Sequence, residues 1–230
     1  MSAKDILNLS IDQSVTLRPR QIFCLRSGVQ TTHSEIIDLT RPLLSKYHED
    51  ITPELHEVAQ IYLRANPVLN PLWQLIGVQK FINASLAVSE PSSPTIELAR
   101  VRSQLLSFGT VHIRFPPGSP HSSHEIIVRP ISYMSRAQSF VQDSVPYSWE
   151  ISTTAATSVT TAKKLHLFKA VAGKKFEIAR YSTEDGKFGL GGLLVFDDTE
   201  IDSLVVSLTL IGVLTQNDSF FAPGLDLAKN

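Results

Sequence analysis

The feature that most constrains the fold is a long apolar segment near the end of the chain, Ile201–Leu214, which follows a series of short, strand-like segments. From Leu204 onward, only Ser207, Thr209 and Gly212 interrupt its apolar residues. A segment that is apolar on all sides is expected to be buried on all sides. Its Val, Leu, Thr and Ile content favours a strand, whereas its length favours a helix. Inside a mainly β domain, it is therefore either a central strand or a helix threaded through a barrel.

Alternation of apolar and polar residues predicts antiparallel strands in the second half of the chain. Val111, Ile113 and Phe115 alternate with His112 and Arg114, a period of two that is typical of a half-buried strand. We expect the three apolar side chains to point inward. Polar turns separate the segments that follow, as in antiparallel hairpins. We therefore predict strands near residues 109–115, 125–131, 147–151, 165–170, 176–181 and 190–196, with a further short one at Phe140-Val141.

The first half of the chain carries helical signals. Thr52-Pro53 combines a hydroxyl suited to an N-cap with proline at the first helical position, and Asn70-Pro71 repeats the combination with an amide. Apolar residues at helical spacing follow each signal, so we predict helices over 53–65 and 71–80. Glu35–Tyr47 shows the same spacing, but a proline limits any helix there to two pieces.

A linker-like stretch, Ser89–Pro94, predicts a boundary between two parts of the chain. Residues 1–90 would form a mostly helical region and residues 95–230 an antiparallel β domain. The predicted fold class is α+β, with a barrel-like, mainly antiparallel C-terminal domain and an N-terminal helical block. Periodicity does not decide between helix and strand for Ile96–Leu106. Before residue 30, two short segments have strand character, Val15–Leu17 and Gln21–Leu25.

The composition indicates a folded protein, because 43% of the 230 residues are hydrophobic and only 19% are charged. The formal net charge of -1 gives no indication of nucleic acid as the main partner. Cys24 is the only cysteine, which favours a reducing compartment, and the N-terminus does not resemble a secretory signal. The longest apolar run is about half the length of a membrane span. We therefore predict a cytoplasmic protein without a transmembrane segment.

No motif in the chain indicates catalysis, a cofactor or a metal. His121, His124 and Glu125 lie in one Pro/Gly/Ser-rich loop without the HExxH order of a zinc site, which favours a solvated loop. Gly186–Gly192 lacks the ending of a phosphate-binding loop and is better explained as a hairpin turn. Cys24 lies in an apolar segment, where a cysteine is usually a packing residue. We therefore predict no catalytic residue, cofactor or metal site.

An acidic cluster precedes the long apolar segment. It lacks the alternating oxygen ligands and distal glutamate of a calcium loop. Carboxylates instead favour the N-terminus of a helix, where they meet the positive end of its dipole. The cluster consists of Asp197, Asp198, Glu200 and Asp202.

The order of short motifs in the last third of the chain resembles the tubby C-terminal-like superfamily, particularly its fungal members. Those motifs are Tyr-x-Trp at Tyr147–Trp149, Leu-His-Leu-Phe at Leu165–Phe168, Ile-Ala-Arg-Tyr at Ile178–Tyr181, and Gly-Leu-Leu-Val before an Asp-led apolar segment. The superfamily includes tubby proteins, phospholipid scramblases and Lurp-one-related proteins. The resemblance, over roughly residues 108–216, implies an antiparallel barrel around a buried C-terminal helix. A complete barrel of that kind has more strands than are predicted here, and the helical block has no place in it.

A set of basic residues in the same region is the candidate binding site. If 165–170 and 176–181 pair as a hairpin, Lys163 and Lys164 lie at the opposite end from the turn that carries Lys174 and Lys175. The superfamily resemblance implies a site for anionic lipid head groups, and the alternative is a solvated sheet edge protected by lysines. The set consists of Lys163, Lys164, Lys174, Lys175 and Arg180.

These observations favour a non-enzymatic binding module that recognises anionic lipid or a protein partner. The alternative is a structural, self-assembling protein such as a coat or scaffold subunit, which would form homo-oligomers. The third hypothesis is an enzyme with an unrecognised site. It stays open because a site assembled from distant residues leaves no sequence motif.

Overall fold

The computed structural model describes residues 3–27, 33–80, 83–104, 109–132, 135–152, 164–183 and 192–216. Over these residues, twelve antiparallel strands form one closed barrel. The strands are β1 (Gln21–Ser27), β2 (His33–Asp38), β3 (Trp73–Lys80), β4 (Asn83–Glu90), β5 (Ser93–Gln104), β6 (Val111–Arg114), β7 (Ile126–Ser132), β8 (Ser135–Gln142), β9 (Val145–Ser152), β10 (Lys164–Val171), β11 (Lys174–Ser182) and β12 (Leu193–Phe196). Each strand pairs with its neighbours in the chain, and β12 closes the barrel against β1.

Four α-helices accompany the barrel in the described ranges. They are α1 (Ala3–Leu7), α2 (Thr40–Leu43), α3 (Pro53–Ala65) and α4 (Ser203–Gln216), and a 3-10 turn (Leu44–Lys46) follows α2. None of them has both the length and the apolarity needed to cross a membrane.

The long apolar segment is α4, and it is buried on every side. Every residue from Val205 to Leu214 is buried, and α4 contacts β5, β6 and β7. Of the two alternatives, the helix threaded through a barrel is therefore confirmed. A helix forms the hydrogen bonds of its backbone within itself, whereas a strand inside a closed barrel would find no free sheet edge to pair with. Leu204, at the first turn, is half-buried rather than fully covered.

The interior of the barrel is a packed core around α4. Inward-facing side chains of the strands and most of α4 form one hydrophobic cluster. The fully buried Trp149 donates its Nε1–H to Thr209 Oγ1 at 3.2 Å, so the most polar atoms of both side chains are satisfied. Barrels that bind a ligand inside leave that space empty of side chains. A binding site is therefore to be sought on the outside of this barrel.

A second hydrophobic core lies outside the barrel, where α2 and α3 cover the outer face of β1, β2 and β12. The strands β1 and β12 are consequently buried on both faces, because one face packs on α4 and the other on the helices. The second core contains Ile22, Cys24, Ile37, Leu39, Leu43, Tyr47, Ile51, Leu55, Ala59, Leu193 and Val195.

The helix predicted over 53–65 is confirmed as α3. Thr52 is its N-cap in extended conformation, and Thr52 Oγ1 accepts a hydrogen bond from the backbone N–H of Leu55 at 3.3 Å. Pro53 occupies the first helical position. The local signals agree with the packing here, because Leu55 and Ala59 face the second core.

The helix predicted over 71–80 is wrong, because these residues form β3. Trp73 and Leu75 are buried in the barrel core, whereas the next residue, Ile76, is only half-buried. The strand is held by β2 on one side and β4 on the other. Pairing on both edges overrides the local proline signal, and Asn70 therefore caps no helix.

The two-piece helix predicted over Glu35–Tyr47 is also corrected, because its first part is β2. Ile36 faces the barrel core while its neighbour Ile37 faces the second core. Burial on both faces removes the alternation by which a strand is recognised. Helix begins only at Thr40 and extends through the 3-10 turn to Lys46. The N-terminal half is therefore not a mostly helical block, since four of the barrel strands come from it.

The linker predicted at Ser89–Pro94 is the hairpin between β4 and β5, in which Glu90 pairs with Ser93. Residues on both sides of the predicted boundary contribute strands to the same closed sheet. Ile96–Leu106, which fitted a helix or a strand, is β5 as far as Gln104. Gln21–Leu25 belongs to β1, whereas Val15–Leu17 is not a strand.

The strands predicted after residue 108 are confirmed as β6 to β12 within the described residues. Val111 and Ile113 are fully buried, as the period of two predicts. Phe115, the third residue of that set, is half-buried against the same core. The C-terminal part of the barrel is thus the part that alternation and turns describe well.

Candidate functional site

The basic residues predicted as a binding set form ion pairs wherever the structure describes them. Lys164 pairs with Asp50, and Arg180 Nη1 lies 2.9 Å from the same carboxylate. Arg180 also donates to both oxygens of Glu177, through Nε and Nη2 at 2.7 Å each. Asp50 therefore brings Lys164 and Arg180 together. Lys163 lies outside the described residues.

The other two lysines attach the N-terminal segment to the barrel. Lys174 Nζ lies 3.1 Å from Asp12 Oδ2, and Lys175 Nζ lies 2.8 Å from both oxygens of Glu150. The backbone of Lys175 accepts a hydrogen bond from Asp12 N at 2.8 Å and donates one to Ser10 O at 3.1 Å. Lys174 and Lys164 lie at opposite ends of the β10–β11 hairpin, so the set does not form one patch.

A cleft of about 760 Å³ lies between this N-terminal segment and the outer face of β9, β10 and β11. The loop before α3 closes one side of it. We call it the outer cleft. It is lined by Ile11, Asp12, Gln13, Val15, Thr16, Leu17, His48, Glu49, Glu150, Ile151, His166, Phe168, Glu177 and Arg180.

A chain of hydrogen bonds joins three polar side chains of the outer cleft. His166 Nδ1 lies 2.6 Å from Glu177 Oε1, and Arg180 binds both oxygens of the same carboxylate. Burial alone would raise the pKa of Glu177, but the hydrogen bonds from Arg180 and His166 outweigh it and lower the pKa below its usual value. Glu177 is therefore an ionised acceptor, which requires that His166 Nδ1 carries the hydrogen.

The guanidinium of Arg180 has little capacity left for an anion. Nε and Nη2 donate to Glu177, and Nη1 donates to the backbone oxygen of Glu49 at 2.7 Å and to Asp50 at 2.9 Å. These bonds use four of the five donors that an arginine offers. Two carboxylates compensate its charge, and a bound anion would have to compete with both.

The remaining wall of the outer cleft is apolar. Phe168 and Ile151 contribute from the barrel, and Ile11, Val15 and Leu17 contribute from the N-terminal segment. Ile11 and Val15 expose 51% and 46% of their surface. Lys175 Nζ lies 5.0 Å from the centroid of the Phe168 ring, which helps to fix that ring on the sheet. The cleft thus combines exposed apolar surface with charged groups in fixed positions, as binding sites commonly do.

The histidine loop does not gather into a metal site. His121 Nε2 lies 3.3 Å from Asp202, His124 bonds to the neighbouring Ser123, and Glu125 pairs with Arg114 and with a third histidine. Throughout the part of the chain that the structure describes, no three His, Cys, Asp or Glu side chains are placed to hold a metal ion.

Of the acidic cluster, only Asp202 takes the predicted place at the N-terminus of a helix, and the other carboxylates bind side chains from other parts of the chain. Asp202 Oδ1 accepts from the backbone N–H groups of Leu204 and Val205 at 2.9 and 3.1 Å, which caps α4. The other three carboxylates, Asp197, Asp198 and Glu200, bind Arg20, Gln21 and Lys169.

The structure describes Cys24 fully and the glycine-rich stretch only at its last residue. Cys24 is buried, and burial raises the pKa of its thiol to about 12, so it is an inert packing residue. Of the glycine-rich stretch Gly186–Gly192, only Gly192 is among the described residues, and it packs closely against the ring of Tyr181.

The outer cleft was missed by sequence reasoning, apart from Arg180. Its residues come from four separate parts of the chain, around residues 11–17, 48–49, 150–151 and 166–180. The one usable signal was the alternation of β9 to β11, which puts Glu150, His166 and Glu177 on the outer face. Several charged or polar residues facing outward from neighbouring strands can mark a binding surface.

Comparisons of the chain with models of protein families, with curated proteins and with solved structures found no match.

Proposed function

We propose that this chain is a non-enzymatic binding module that holds a segment of a protein partner in the outer cleft. The observation that carries the proposal is the composition of the cleft, in which an apolar wall faces hydrogen-bonded, charged side chains on the outside of a barrel whose interior is filled. A cleft of about 760 Å³ lies within the usual size range of ligand-binding sites. The apolar wall supplies affinity and the polar groups supply specificity.

Anionic lipid is the less supported partner. Those of the predicted cations that the structure describes are already paired with carboxylates, namely Lys164 and Arg180 with Asp50, Lys174 with Asp12, and Lys175 with Glu150. A phosphate would have to displace a bonded carboxylate at each of them. Membership of the tubby C-terminal-like superfamily also stays a proposal. The observation that supports it is an antiparallel barrel with a helix in its interior.

Selection of random peptides on the immobilised full chain tests the protein-partner proposal. Val15→Trp would fill the cleft from its exposed rim, and Val141→Trp is the matched control outside the lining, because the two valines expose 46% and 47% of their surface. We expect selected peptides to bind the chain and Val141→Trp alike and to lose at least ten-fold in affinity for Val15→Trp. Peptides that bind both variants equally would contradict the proposal.

Two further measurements address the alternatives. Flotation with vesicles that contain phosphoinositides, at low ionic strength where electrostatic attachment is strongest, detects the lipid-binding alternative. Light scattering at high protein concentration detects the self-assembling alternative. Every described strand already has two neighbours in the closed sheet, so assembly by addition of strands has no open edge to use. We expect no flotation and a monomer.

A further inference from the structure

The charge of the outer cleft is not balanced by its own residues. Four carboxylates line it, on Asp12, Glu49, Glu150 and Glu177, against the single guanidinium of Arg180. Lysines beside the cleft neutralise Asp12 and Glu150, and Arg180 neutralises Glu177. Glu49 is exposed, and no described residue bonds to its carboxylate. Glu49 is therefore the one carboxylate of the lining without a basic partner among the described residues.

Two polar groups of the cleft have hydrogen-bonding capacity left over among the described residues. His166 Nε2 is buried and has no partner there, and the Glu49 carboxylate is exposed to solvent. An ionised carboxylate only accepts hydrogen bonds, so a ligand that donates satisfies Glu49 and an anion does not.

Glu49 lies beside Arg180 in the outer cleft. Its backbone oxygen accepts from Arg180 Nη1 at 2.7 Å, which fixes the residue next to the guanidinium. A cation at the Glu49 carboxylate is not repelled strongly, because Glu177 and Asp50 already compensate the charge of Arg180. Phe168 and the apolar residues of the N-terminal segment form the remainder of the lining.

We propose that the outer cleft binds a basic group joined to a large apolar one, such as a lysine or arginine next to an aromatic residue in a partner segment. The ammonium or guanidinium pairs with the Glu49 carboxylate, and the apolar group packs against Phe168 and Val15. This inference rests on the proposed function and specifies the chemistry of its ligand.

Three small probes that share a phenethyl group and differ in charge test the inference, namely phenethylammonium, phenethyl alcohol and hydrocinnamate. Binding to the full chain is measured from the shifts of backbone amide NMR signals in β10 and β11. We expect phenethylammonium to bind about five-fold more tightly than the alcohol, as is typical of an ion pair at an exposed carboxylate, and hydrocinnamate to bind most weakly.

Glu49→Gln should remove the preference for the cation while leaving the fold unchanged, because Glu49 is exposed. Glu57→Gln is the matched control, an exposed glutamate on α3 outside the lining, and should keep the preference. Equal or tighter binding of hydrocinnamate, no shift in β10 and β11 with any probe, or an unchanged preference in Glu49→Gln would each overturn the inference. Selected peptides that need the cleft but lack basic residues would also overturn it, while leaving the proposed function intact.

Discussion

Replacing Leu208 by alanine tests whether α4 is the core around which the barrel is built. Leu208 is fully buried in the middle of α4. The substitution removes about three methylene-sized groups, which at about 0.8 kcal/mol each gives about 2.4 kcal/mol of lost transfer free energy. The cavity adds up to about 2 kcal/mol, because a sheet that is hydrogen-bonded around its whole circumference cannot collapse onto the gap. We expect a loss of about 4 kcal/mol in the free energy of unfolding.

Urea unfolding followed by circular dichroism measures this loss. Leu204→Ala is the matched control on the same helix, where the side chain is half-buried, and should cost about half as much or less. Leu208→Asp should prevent folding, because the interior offers no partner for its charge. A Leu208→Ala variant that loses no more stability than Leu204→Ala, or a Leu208→Asp variant that still unfolds cooperatively, would refute the description of α4 as the central core helix.

Three further substitutions test particular contacts. Thr52→Ala should lower the free energy of unfolding by about 1 kcal/mol in urea melts, because it removes the N-cap of α3. Gly192→Ala should cost about 1–3 kcal/mol, because the added Cβ would overlap the buried ring of Tyr181, and a stability equal to that of the unmodified chain would contradict this packing. Glu177 has a lowered pKa when folded, so its contribution to stability is complete above its ordinary value of 4.5 and is lost as the pH falls through the folded pKa. Glu177→Gln should therefore destabilise by about 2–3 kcal/mol at neutral pH, and the difference should shrink towards pH 3.

How far the sequence determines the fold can be seen in two neighbouring segments. Thr52-Pro53 predicts α3 correctly because the cap, the proline and the packing face all favour the same helix. Asn70-Pro71 carries a similar signal, yet the residues after it join β3, because two neighbouring strands offer ladder hydrogen bonds that a helix would forgo. The local pattern does not contain those partners. Only strands whose outer face is exposed, such as β7, keep the alternation that makes them recognisable.

The candidate site was harder to predict than the fold. Lys164, Lys174, Lys175 and Arg180 were singled out for their charge, and the structure places a carboxylate against each of them. Those carboxylates come from as far away in the chain as Asp12, and no spacing rule connects them. The sequence therefore indicated where charged groups concentrate, whereas the sign of the charge left over depends on contacts that only the folded chain makes.

The most direct test of the proposed function is hydrogen–deuterium exchange of the full chain with and without a selected peptide. Exchange slows where a ligand covers the backbone or stabilises local structure. We predict slower exchange in residues 11–17 and in the outer-cleft strands β10 and β11, with no change in β5 to β7 on the rest of the barrel. Slower exchange in β5 to β7, with residues 11–17 and β10–β11 unaffected, would contradict the assignment of the outer cleft as the binding site.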